Sequence, residues 1–395
     1  MRIAIVFTTH DFTGASRVGR EYVLALHATE RHEVSVIMPG IAEENAQTSL
    51  SQHLVDSDVQ VELIRDLEKR SPRALVHFVR KLKHTKPQLV ITVNQSAYIY
   101  GFASRVIFHA RWLHFIQNRL TFSGGRFKRS VKSSLFRLVV GRFTNGVATI
   151  SQMLTQEMEQ ELAAPKSHIK TIVNGIEARP RTPNGARQLT LELGLSGCSD
   201  PNRFNLITVG RLDKQKDQLL LLRSIASNRE LRALVRLFIV GEATNGISQT
   251  SRESKVYSGT LKEYCEENGL AETVRFLGWR QDIGDLLSVC DCYVHPASWE
   301  GGVPLAVVEA MYAELPIIMV RVFSYGQEFE KKLGGKIVED SDPLKLAEAI
   351  LVTSKLDAEE RYSLGLQNRE LAERNFSIDR ARNEFVEYVS QLGER

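Results

Sequence analysis

The stretch VRFLGWRQDIGDLLSVCDCYVHPASWEGGVPLAVVEAMYAELPIIM, residues 274–319, decides the fold of this chain. It contains three short apolar runs, at residues 274–277, 292–295 and 316–319, and a helical pattern separates each run from the next. Uninterrupted apolar strands between helices are typical of a parallel sheet that is covered on both faces. The stretch therefore predicts an α/β fold made of alternating strands and helices.

The loop PASWEGGVP, residues 296–304, connects the second of these strands to its helix. Pro304 suits the first turn of a helix, where its missing N–H costs nothing. Gly301 and Gly302 allow backbone N–H groups to approach a ligand closely, and the N-terminus of a helix binds anions, above all phosphate. The loop therefore predicts a cradle for a diphosphate.

Two carboxylates, Glu300 and Glu309, bracket this loop. Phosphate repels a carboxylate, so we expect both to accept hydrogen bonds from sugar or ribose hydroxyls. The stretch resembles the C-terminal signature of the retaining, nucleotide-sugar-dependent glycosyltransferases of family 4, which carry a glutamate, seven residues and a second glutamate. Eight residues separate the two glutamates here, so either the glycine loop has one extra residue or the first carboxylate is displaced. Glu309-Ala310-Met311 matches the family pattern.

Size and composition are those of an ordinary globular protein with two domains. The chain has 395 residues, 43% hydrophobic and 25% charged, which is enough for two cores. Its net charge of +4 is too small to indicate a nucleic-acid-binding protein. However, residues 101–150 contain nine Lys and Arg and no Asp or Glu. Such a block indicates an anionic partner (phosphate, acidic glycan or lipid headgroups), or else a solvated basic helix with one or two phosphate contacts.

The four cysteines, Cys198, Cys265, Cys290 and Cys292, have neither zinc nor redox spacing, so we expect buried free thiols in a reducing compartment. The chain opens directly with a strand and has no apolar run long enough to span a membrane. We therefore expect a cytoplasmic protein without a signal peptide, peripheral at most on the inner face of the membrane.

The first half predicts a doubly wound domain, because four buried strands within residues 2–93 alternate with helices. No G-x-G-x-x-G follows the first strand, which disfavours a dinucleotide oxidoreductase. The loop after that strand, residues 9–16, is similar to the first glycine loop of the family, and the resemblance puts Gly14 beside the donor. His10 and Asp11 stand at the C-terminal end of the strand, where open α/β sheets bind ligands, or they serve the turn alone.

The strand RWLHFIQNR, residues 111–119, carries a candidate histidine. Family members often have a histidine in this region, close to the donor sugar, and the resemblance assigns that place to His114. A neutral imidazole would hydrogen-bond a sugar hydroxyl or help to stabilise charge near the anomeric carbon. Two alternatives remain open: His114 is a core histidine in a strand rich in Trp and Phe, or His109 takes the role.

The segment RFKRSVKSSLFRLVVGRF, residues 126–143, combines basic with apolar residues. It predicts an interfacial helix that brings the protein to an anionic membrane carrying a lipid-linked acceptor. The alternative is a surface helix that packs its apolar stripe on its own domain.

In the second half, a strand at residues 204–209 runs into GRLDKQKD, which resembles the family motif V-G-R-L-x-x-x-K-[GD]. Arg211 and Lys216 would then lie at the C-terminal end of a strand, where a guanidinium fork and an ammonium neutralise two phosphates. The alternative is two solvated surface charges. By resemblance, the loops at Gly241 and Gly278 flank the nucleotide.

These features identify the chain as a member of glycosyltransferase family 4 with the GT-B fold, two doubly wound Rossmann-like domains that face a central cleft. The expected parts are an acceptor-side domain at residues 1–177, a linker region at 178–203, a nucleotide-sugar-binding domain at 204–375 and a helix at 376–395 that packs back on the first domain. The polar stretch at residues 243–254 is expected to be a loop.

By the same resemblance, the expected catalytic residues are His114, Arg211, Lys216 and Glu300. The residues expected to bind the donor lie in turns at strand ends: Gly14, Arg211, Lys216, Gly241, Gly278, Glu300, Gly301, Gly302, Val303, Pro304, Leu305 and Glu309. No metal and no other cofactor are expected. The acidic sequence Asp340-Ser341-Asp342 suits the start of a helix better than a metal site, and Lys and Arg would replace the metal.

The resemblance implies a retaining glycosyltransferase that moves a sugar from a UDP- or GDP-sugar to a hydroxyl of a glycan, glycolipid or small molecule, in bacterial cell-envelope glycan, polysaccharide or glycolipid synthesis. No nucleic-acid partner is expected. Two alternatives stay open. A nucleotide-sugar epimerase on the same fold would convert the free nucleotide sugar without an acceptor. A non-catalytic partner subunit is compatible with the irregular spacing of Glu300 and Glu309.

Overall fold

In the computed structural model the chain forms two compact units, one of Met1–Gly175 with Ser377–Arg395 and one of Ile176–Phe376. The structure describes residues 1–9, 14–40, 50–122, 124–162, 168–178, 182, 184–195, 203–244, 249–322 and 325–394. The described residues of the predicted linker, 178–203, belong to the second unit. There Thr182 donates two hydrogen bonds to Asp285, from its backbone nitrogen at 2.7 Å and its hydroxyl at 2.8 Å.

Thirteen strands are present in the described part of the chain: β1 (Arg2–Val6), β2 (Glu33–Pro39), β3 (Gln60–Ile64), β4 (Leu89–Val93), β5 (Arg111–Ile116), β6 (Gly146–Thr149), β7 (Ile169–Thr171), β8 (Phe204–Val209), β9 (Val235–Val240), β10 (Val274–Gly278), β11 (Cys292–His295), β12 (Ile317–Val320) and β13 (Gly335–Val338).

The described part of the chain also forms sixteen α-helices: α1 (Gly14–Ala28), α2 (Leu50–Val55), α3 (Pro72–Thr85), α4 (Tyr98–Phe108), α5 (Arg126–Phe143), α6 (Gln152–Glu161), α7 (Gly185–Glu192), α8 (Gln218–Ala226), α9 (Arg229–Leu234), α10 (Gln249–Glu267), α11 (Ile283–Ser288), α12 (Leu305–Tyr312), α13 (Gln327–Lys332), α14 (Pro343–Ser354), α15 (Ala358–Asn375) and α16 (Ile378–Glu394). None of them combines the length and the apolar composition that crossing a membrane requires.

The first unit is built on a seven-stranded sheet with the order β3-β2-β1-β4-β5-β6-β7, in which every pair is parallel. All five residues of the central strand β4 are buried, as expected of a strand that is covered on both faces. The parallel, doubly wound sheet confirms the fold predicted for this half of the chain.

The last helix, α16, belongs to the first unit. The ring of Phe385 stacks on that of Tyr22 in α1, with the centroids 4.3 Å apart. Arg111 at the start of β5 donates a hydrogen bond of 2.7 Å to the carbonyl of Leu392. Helix α16 therefore completes the core of the first unit.

The second unit contains a six-stranded parallel sheet with the order β10-β9-β8-β11-β12-β13. This is the strand order of the doubly wound nucleotide-binding fold. The strands predicted at residues 204–209 and 292–295 have these bounds in the structure. Leu206, Leu237 and Val294 anchor the core between the sheet and helices α8 and α14.

Two regions differ from the sequence prediction. Helix α4 is not predicted, and α10 begins at Gln249, inside the stretch 243–254 that is predicted to be a loop. Cys265, Cys290 and Cys292 are free and buried, as predicted, whereas Cys198 lies outside the described residues.

Candidate active site

The strand order of the second sheet reverses between β8 and β11, which pair directly. Open α/β sheets bind their ligands at such a switch point, outside the carboxyl ends of the strands. Hydrogen bonds of Ser298 join the loops that follow these strands. The backbone nitrogen of Ser298 donates to the carbonyl of Gln215 at 2.8 Å, and its hydroxyl donates to Asp217 at 2.7 Å. The predicted phosphate-binding and carboxylate-bearing loops are therefore held together.

Glu300 lies at the centre of this switch point and is buried. Its Oε1 atom forms an ion pair with the ammonium of Lys216 and lies 3.1 Å from Nε2 of His295. Its Oε2 atom accepts a hydrogen bond of 3.2 Å from Nε2 of Gln215, which also donates to the carbonyl of Trp299. The additional residue between the two glutamates therefore leaves Glu300 inside the cluster with Lys216.

The environment keeps Glu300 ionised. Burial alone would raise the pKa of its carboxyl group, but the charge of Lys216 and the hydrogen bond from His295 more than offset burial and lower the pKa to about 2. At neutral pH the site therefore contains an ionised carboxylate in contact with Lys216.

His295 connects the cluster to the sheet. A carboxylate only accepts hydrogen bonds, so Nε2 of His295 must donate to Glu300. Its Nδ1 atom lies 3.4 Å from the hydroxyl of Tyr293, and that hydroxyl lies 3.3 Å from the carbonyl oxygen of Val209 at the end of β8. Burial lowers the pKa of His295, although the contact with Glu300 opposes this effect.

Arg211 occupies the outer side of the same switch point. Its guanidinium lies 3.1 Å from Asp213 and 3.4 Å from the side-chain oxygen of Gln215, and two fifths of the side chain is exposed. Its backbone carbonyl accepts a hydrogen bond of 2.9 Å from Gln218 at the start of α8. The backbone is thus anchored, while the guanidinium can reach an incoming anion.

Gly241 is required by a close approach of two backbones. Its φ is +135°, and a Cβ at this position would lie 2.0 Å from the carbonyl oxygen of Gly210. Gly278 has φ +67°, and the next residue, Trp279, donates its backbone N–H to Glu242 at 3.2 Å. Both predicted donor-binding glycines therefore shape the loops at the carboxyl edge of the sheet.

The glycine loop continues into α12. Gly301 and Gly302 are buried, and Val303, Pro304 and Leu305 are half-buried. The prediction that Pro304 lies in the first helical turn is wrong by one position: with φ −66° and ψ 142° it is the residue before the turn.

Glu309 in α12 is buried close to the cluster. Its charge and that of Glu300 both raise the pKa of the Tyr293 hydroxyl, although burial is the larger cause. The second predicted glutamate therefore lies within electrostatic reach of the same strand, β11, as the first.

The structure does not place His114 where a ligand could touch it. The side chain has no exposed surface and packs edge-on against the rings of Trp112 and Phe136. Its Nδ1 atom lies 2.7 Å from the hydroxyl of Thr92, and burial lowers its pKa to about 3. The alternative candidate, His109, ends α4 before β5 begins, so it lies at the amino end of that strand. Of the alternatives that the sequence left open for His114, the geometry favours a core histidine.

Sequence reasoning missed Gln117, which directly follows β5. The side chain is only 3% exposed, and neither amide atom has a hydrogen-bond partner in the described part of the chain. At the switch point of the first sheet, the hydroxyls of Thr8 and Ser96 lie 2.5 Å apart. All three of these residues follow a strand, and that position is the signal by which the sequence could have pointed to them.

Of the residues predicted in the first loop, Gly14 begins α1 and is exposed, while His10 and Asp11 lie outside the described residues.

The sequence matches two family models, "Glycosyltransferase Family 4" over residues 2–179 and "Glycosyl transferases group 1" over residues 199–370. The chain belongs to glycosyltransferase family 4. The chain is similar to spore coat protein SA of Bacillus subtilis, with 28% identity over 59% of this chain and 62% of that protein. Another relative is the UDP-Gal:alpha-D-GlcNAc-diphosphoundecaprenol alpha-1,3-galactosyltransferase of Escherichia coli, with 24% identity over 71% of this chain and 69% of that enzyme.

Solved structures show the same fold. Anabaena Alr3699/HepE in complex with UDP-glucose superposes with a TM-score of 0.81 at 20% identity, over 99% of this chain and 100% of that chain. Sucrose-phosphate synthase from Thermosynechococcus elongatus gives a TM-score of 0.81 at 17% identity, over 100% of this chain and 99% of that chain. The fold of this family member is GT-B.

Proposed function

We propose that the chain is a retaining glycosyltransferase that transfers a sugar from a UDP- or GDP-sugar to a hydroxyl acceptor, in the synthesis of bacterial cell-envelope glycan, polysaccharide or glycolipid. The observation that carries this proposal is the cluster of Lys216, Glu300 and His295 at the switch point of the second sheet, with Arg211 at its outer side. A cationic pair beside a buried carboxylate suits a ligand that has both a diphosphate and sugar hydroxyls.

In the proposed reaction the leaving diphosphate develops charge as the bond to the anomeric carbon breaks. Arg211 and Lys216 neutralise this charge, and backbone N–H groups of Gly301 and Gly302 add to them. Glu309 accepts hydrogen bonds from the ribose hydroxyls, and Glu300 accepts hydrogen bonds from hydroxyls of the transferred sugar. The acceptor oxygen bonds to the anomeric carbon on the face from which the diphosphate leaves, and its proton passes to the departing diphosphate, so the anomeric configuration is retained. Lys and Arg take the place that a metal ion has in other transferases.

The relatives favour a UDP-hexose as the first donor to test. The Escherichia coli relative is named as an enzyme that uses UDP-Gal, and the Anabaena protein was solved with UDP-glucose. The galactosyltransferase acts on a diphosphoundecaprenol acceptor, which supports a lipid-linked acceptor for this chain.

A thermal-shift panel with UDP, GDP, ADP and their glucose and galactose conjugates tests the donor site. A ligand at a hundredfold its dissociation constant stabilises by about 2.7 kcal/mol, which raises the melting temperature measurably. We expect one base to stabilise the wild type and to lose its effect in Arg211→Ala. Arg229→Ala, at an exposed arginine of α9, is the matched control and should respond like the wild type. No shift with any nucleotide would contradict the proposal and favour a non-catalytic subunit.

Turnover separates the transferase from the epimerase. The donor that the panel identifies is incubated without acceptor, and the sugar is analysed by chromatography. A transferase leaves the sugar configuration unchanged or hydrolyses the donor slowly. Conversion of the free nucleotide sugar to its epimer would contradict the proposal.

We also propose that α5 brings the enzyme to an anionic membrane. Phe127, Val131, Leu135 and Leu138 form one exposed stripe along this helix, and Phe127 is 81% exposed. Arginine and lysine side chains flank the stripe, which suits a surface of anionic headgroups. The helix also lines a cavity of about 510 Å³ that contains arginine, serine and threonine side chains, which would suit the polar part of an acceptor.

Sedimentation with lipid vesicles tests this contact. We expect the wild type to sediment with phosphatidylglycerol vesicles but not with phosphatidylcholine vesicles, and added salt to weaken the binding. Phe127→Glu should abolish it. Leu344→Glu, at a leucine of α14 that is 66% exposed, is the matched control and should leave it unchanged. Failure of the wild type to bind phosphatidylglycerol would overturn the membrane proposal and leave the transfer reaction untouched.

A further inference from the structure

In the proposed function, Glu300 and the donor diphosphate compete for the positive charge of Lys216. In the structure its ammonium is held by Glu300, and both groups are largely buried. In the proposed function the same ammonium neutralises the donor diphosphate. When Lys216 turns to the diphosphate, Glu300 loses the cation that balances its charge. A buried carboxylate without a compensating charge is strongly unfavourable, so another group must replace the ammonium.

His295 is placed to make that replacement. Its Nε2 lies 3.1 Å from the Oε1 atom of Glu300 that Lys216 also contacts. With His295 neutral, Nε2–H donates to Glu300 and Nδ1 accepts from the Tyr293 hydroxyl at 3.4 Å. With His295 protonated, Nδ1–H donates to the Tyr293 oxygen, and the Tyr293 proton turns to the carbonyl of Val209 at 3.3 Å. Both protonation states therefore have a complete set of hydrogen bonds.

We propose that binding of a nucleoside diphosphate sugar draws Lys216 from Glu300 to the diphosphate, and that His295 then takes up one proton from solvent and becomes the cation that holds Glu300. His295 is thus a positioning residue: it keeps the carboxylate in place for the sugar while the lysine serves the leaving group. This inference rests on the proposed function, because it requires a diphosphate at Lys216.

The charges around His295 set the direction of the effect. Without donor, burial is the largest cause that lowers the pKa of His295; Lys216 lowers it further, and Glu300 raises it. Tyr293 lies on the same strand, and Glu309 from α12 acts on Tyr293. Withdrawing Lys216 removes a lowering influence, and the donor adds negative charge, so the pKa rises on binding. Proton uptake therefore occurs between the two pKa values, and donor affinity falls as pH rises from the lower to the higher of them.

Calorimetric titration with UDP-glucose at one pH near neutrality, in buffers with different ionisation enthalpies, measures the protons taken up. The diphosphate diester of UDP-glucose does not titrate in this range, so the protons belong to the protein. We expect uptake of up to one proton by the wild type, and an affinity that falls by at most about tenfold per pH unit between the two pKa values. If UDP-glucose does not bind, the titration uses the nucleotide sugar that stabilises the wild type in the thermal-shift panel.

His295→Gln is the decisive variant, because the glutamine amide can still donate to Glu300 but cannot take up a proton. It should bind the donor with no proton uptake and with an affinity that does not depend on pH. His109→Asn replaces an exposed histidine in the first unit that ends α4 in the left-handed conformation, which asparagine tolerates, and it should behave like the wild type.

The outcomes separate this inference from the proposed function. Donor binding by the wild type with the same heat in every buffer, after correction for dilution, overturns the inference and leaves the donor site intact. Equal proton uptake in His295→Gln and in the wild type also overturns it, because another group would then be the acceptor. Absence of binding by every nucleotide sugar overturns the proposed function itself.

Discussion

Lys216 and Glu300 form an ion pair whose side chains are only 18% and 8% exposed. Exposed ion pairs contribute little to stability. Removal of one partner from a buried pair is strongly destabilising, because the other charge stays buried without compensation. The pair therefore connects the chemistry of the site to the stability of the second unit, and the two can be measured on the same variants.

Lys216→Met should lower the free energy of unfolding of the second unit by about 3 kcal/mol, because Glu300 keeps its contacts with His295 and Gln215 but loses the ammonium. Urea denaturation at neutral pH measures the loss. The matched control is Lys332→Met, which breaks the pair with Glu328, where the side chains are 45% and 77% exposed. The control should cost less than about 1 kcal/mol. Equal losses in the two variants would show that the buried pair has no special role.

Acidification should lower the stability of the wild type over the pH range in which Glu300 becomes protonated. The folded pKa of about 2 lies below the ordinary value of 4.5, so ionisation of this group stabilises the fold above pH 4.5. That contribution, about 3 kcal/mol, is lost as pH falls from about 4.5 towards 2. Urea denaturation of wild type and Glu300→Gln between pH 3 and 7 should therefore show a stability difference that shrinks on acidification. A difference that stays constant would refute the assignment.

His114 should affect stability and not turnover. Its pKa of about 3 lies below the ordinary 6.5, so the unfolded chain binds the proton first and stability falls as pH drops below about 6.5. At pH 5 the loss is about 2 kcal/mol. His114→Asn cannot titrate, so between pH 7.5 and pH 5 it should lose about 2 kcal/mol less than the wild type. Its turnover of donor should stay within about threefold, whereas loss of a catalytic proton-transfer group costs at least about a hundredfold.

Gly241→Ala should destabilise the second unit by about 2 kcal/mol or more. The new Cβ would meet the Gly210 carbonyl, and the positive φ is strained for any other residue. Gly259→Ala is the matched control, because Gly259 lies within α10 with open space where a Cβ would be, and alanine should stabilise this helix by about 0.5–1 kcal/mol. The melting temperature should fall in Gly241→Ala and rise in Gly259→Ala. An unchanged melting temperature in Gly241→Ala would mean that the loops of Gly210 and Gly241 move apart at little cost.

Much of the fold could be predicted from the sequence because short apolar runs alternate with turn residues. Strands β8 and β11 have the predicted bounds, and the helix predicted at residues 126–143 is α5. Helix α4 was not predicted, because its sequence YIYGFASRVIF is apolar on almost every side and has few polar residues to mark a solvent face. Gly101 within it would be read as a helix breaker. In the structure it is the residue that lets the Trp112 ring lie against the helix, where a Cβ would be 2.0 Å from the indole nitrogen.

Some residues of the candidate site could also be predicted from the sequence, and others could not. Lys216 and Glu300 could be chosen from spacing and chemistry, and the structure brings them into contact. His295 and Gln215 could not, because their role depends on hydrogen bonds between loops that are distant in sequence. For His114 the sequence left two roles open, a catalytic one and a core one, and the structure favours the core one. His114 lies inside β5, where every residue after Arg111 is buried, so both faces of the strand are covered and the side chain is not at the strand end.

The return of α16 to the first unit makes the second unit an insertion within the first. Ile176 and Phe376, its first and last residues, are joined by a backbone hydrogen bond of 3.0 Å, so its two ends meet. On the ribosome, residues 176–376 emerge complete while the first unit still lacks its last helix. The first unit can therefore complete its core only after α16 has been synthesised, although most of its residues are synthesised before the second unit. A chain truncated before residue 377 would contain a complete second unit and a first unit whose core lacks α16.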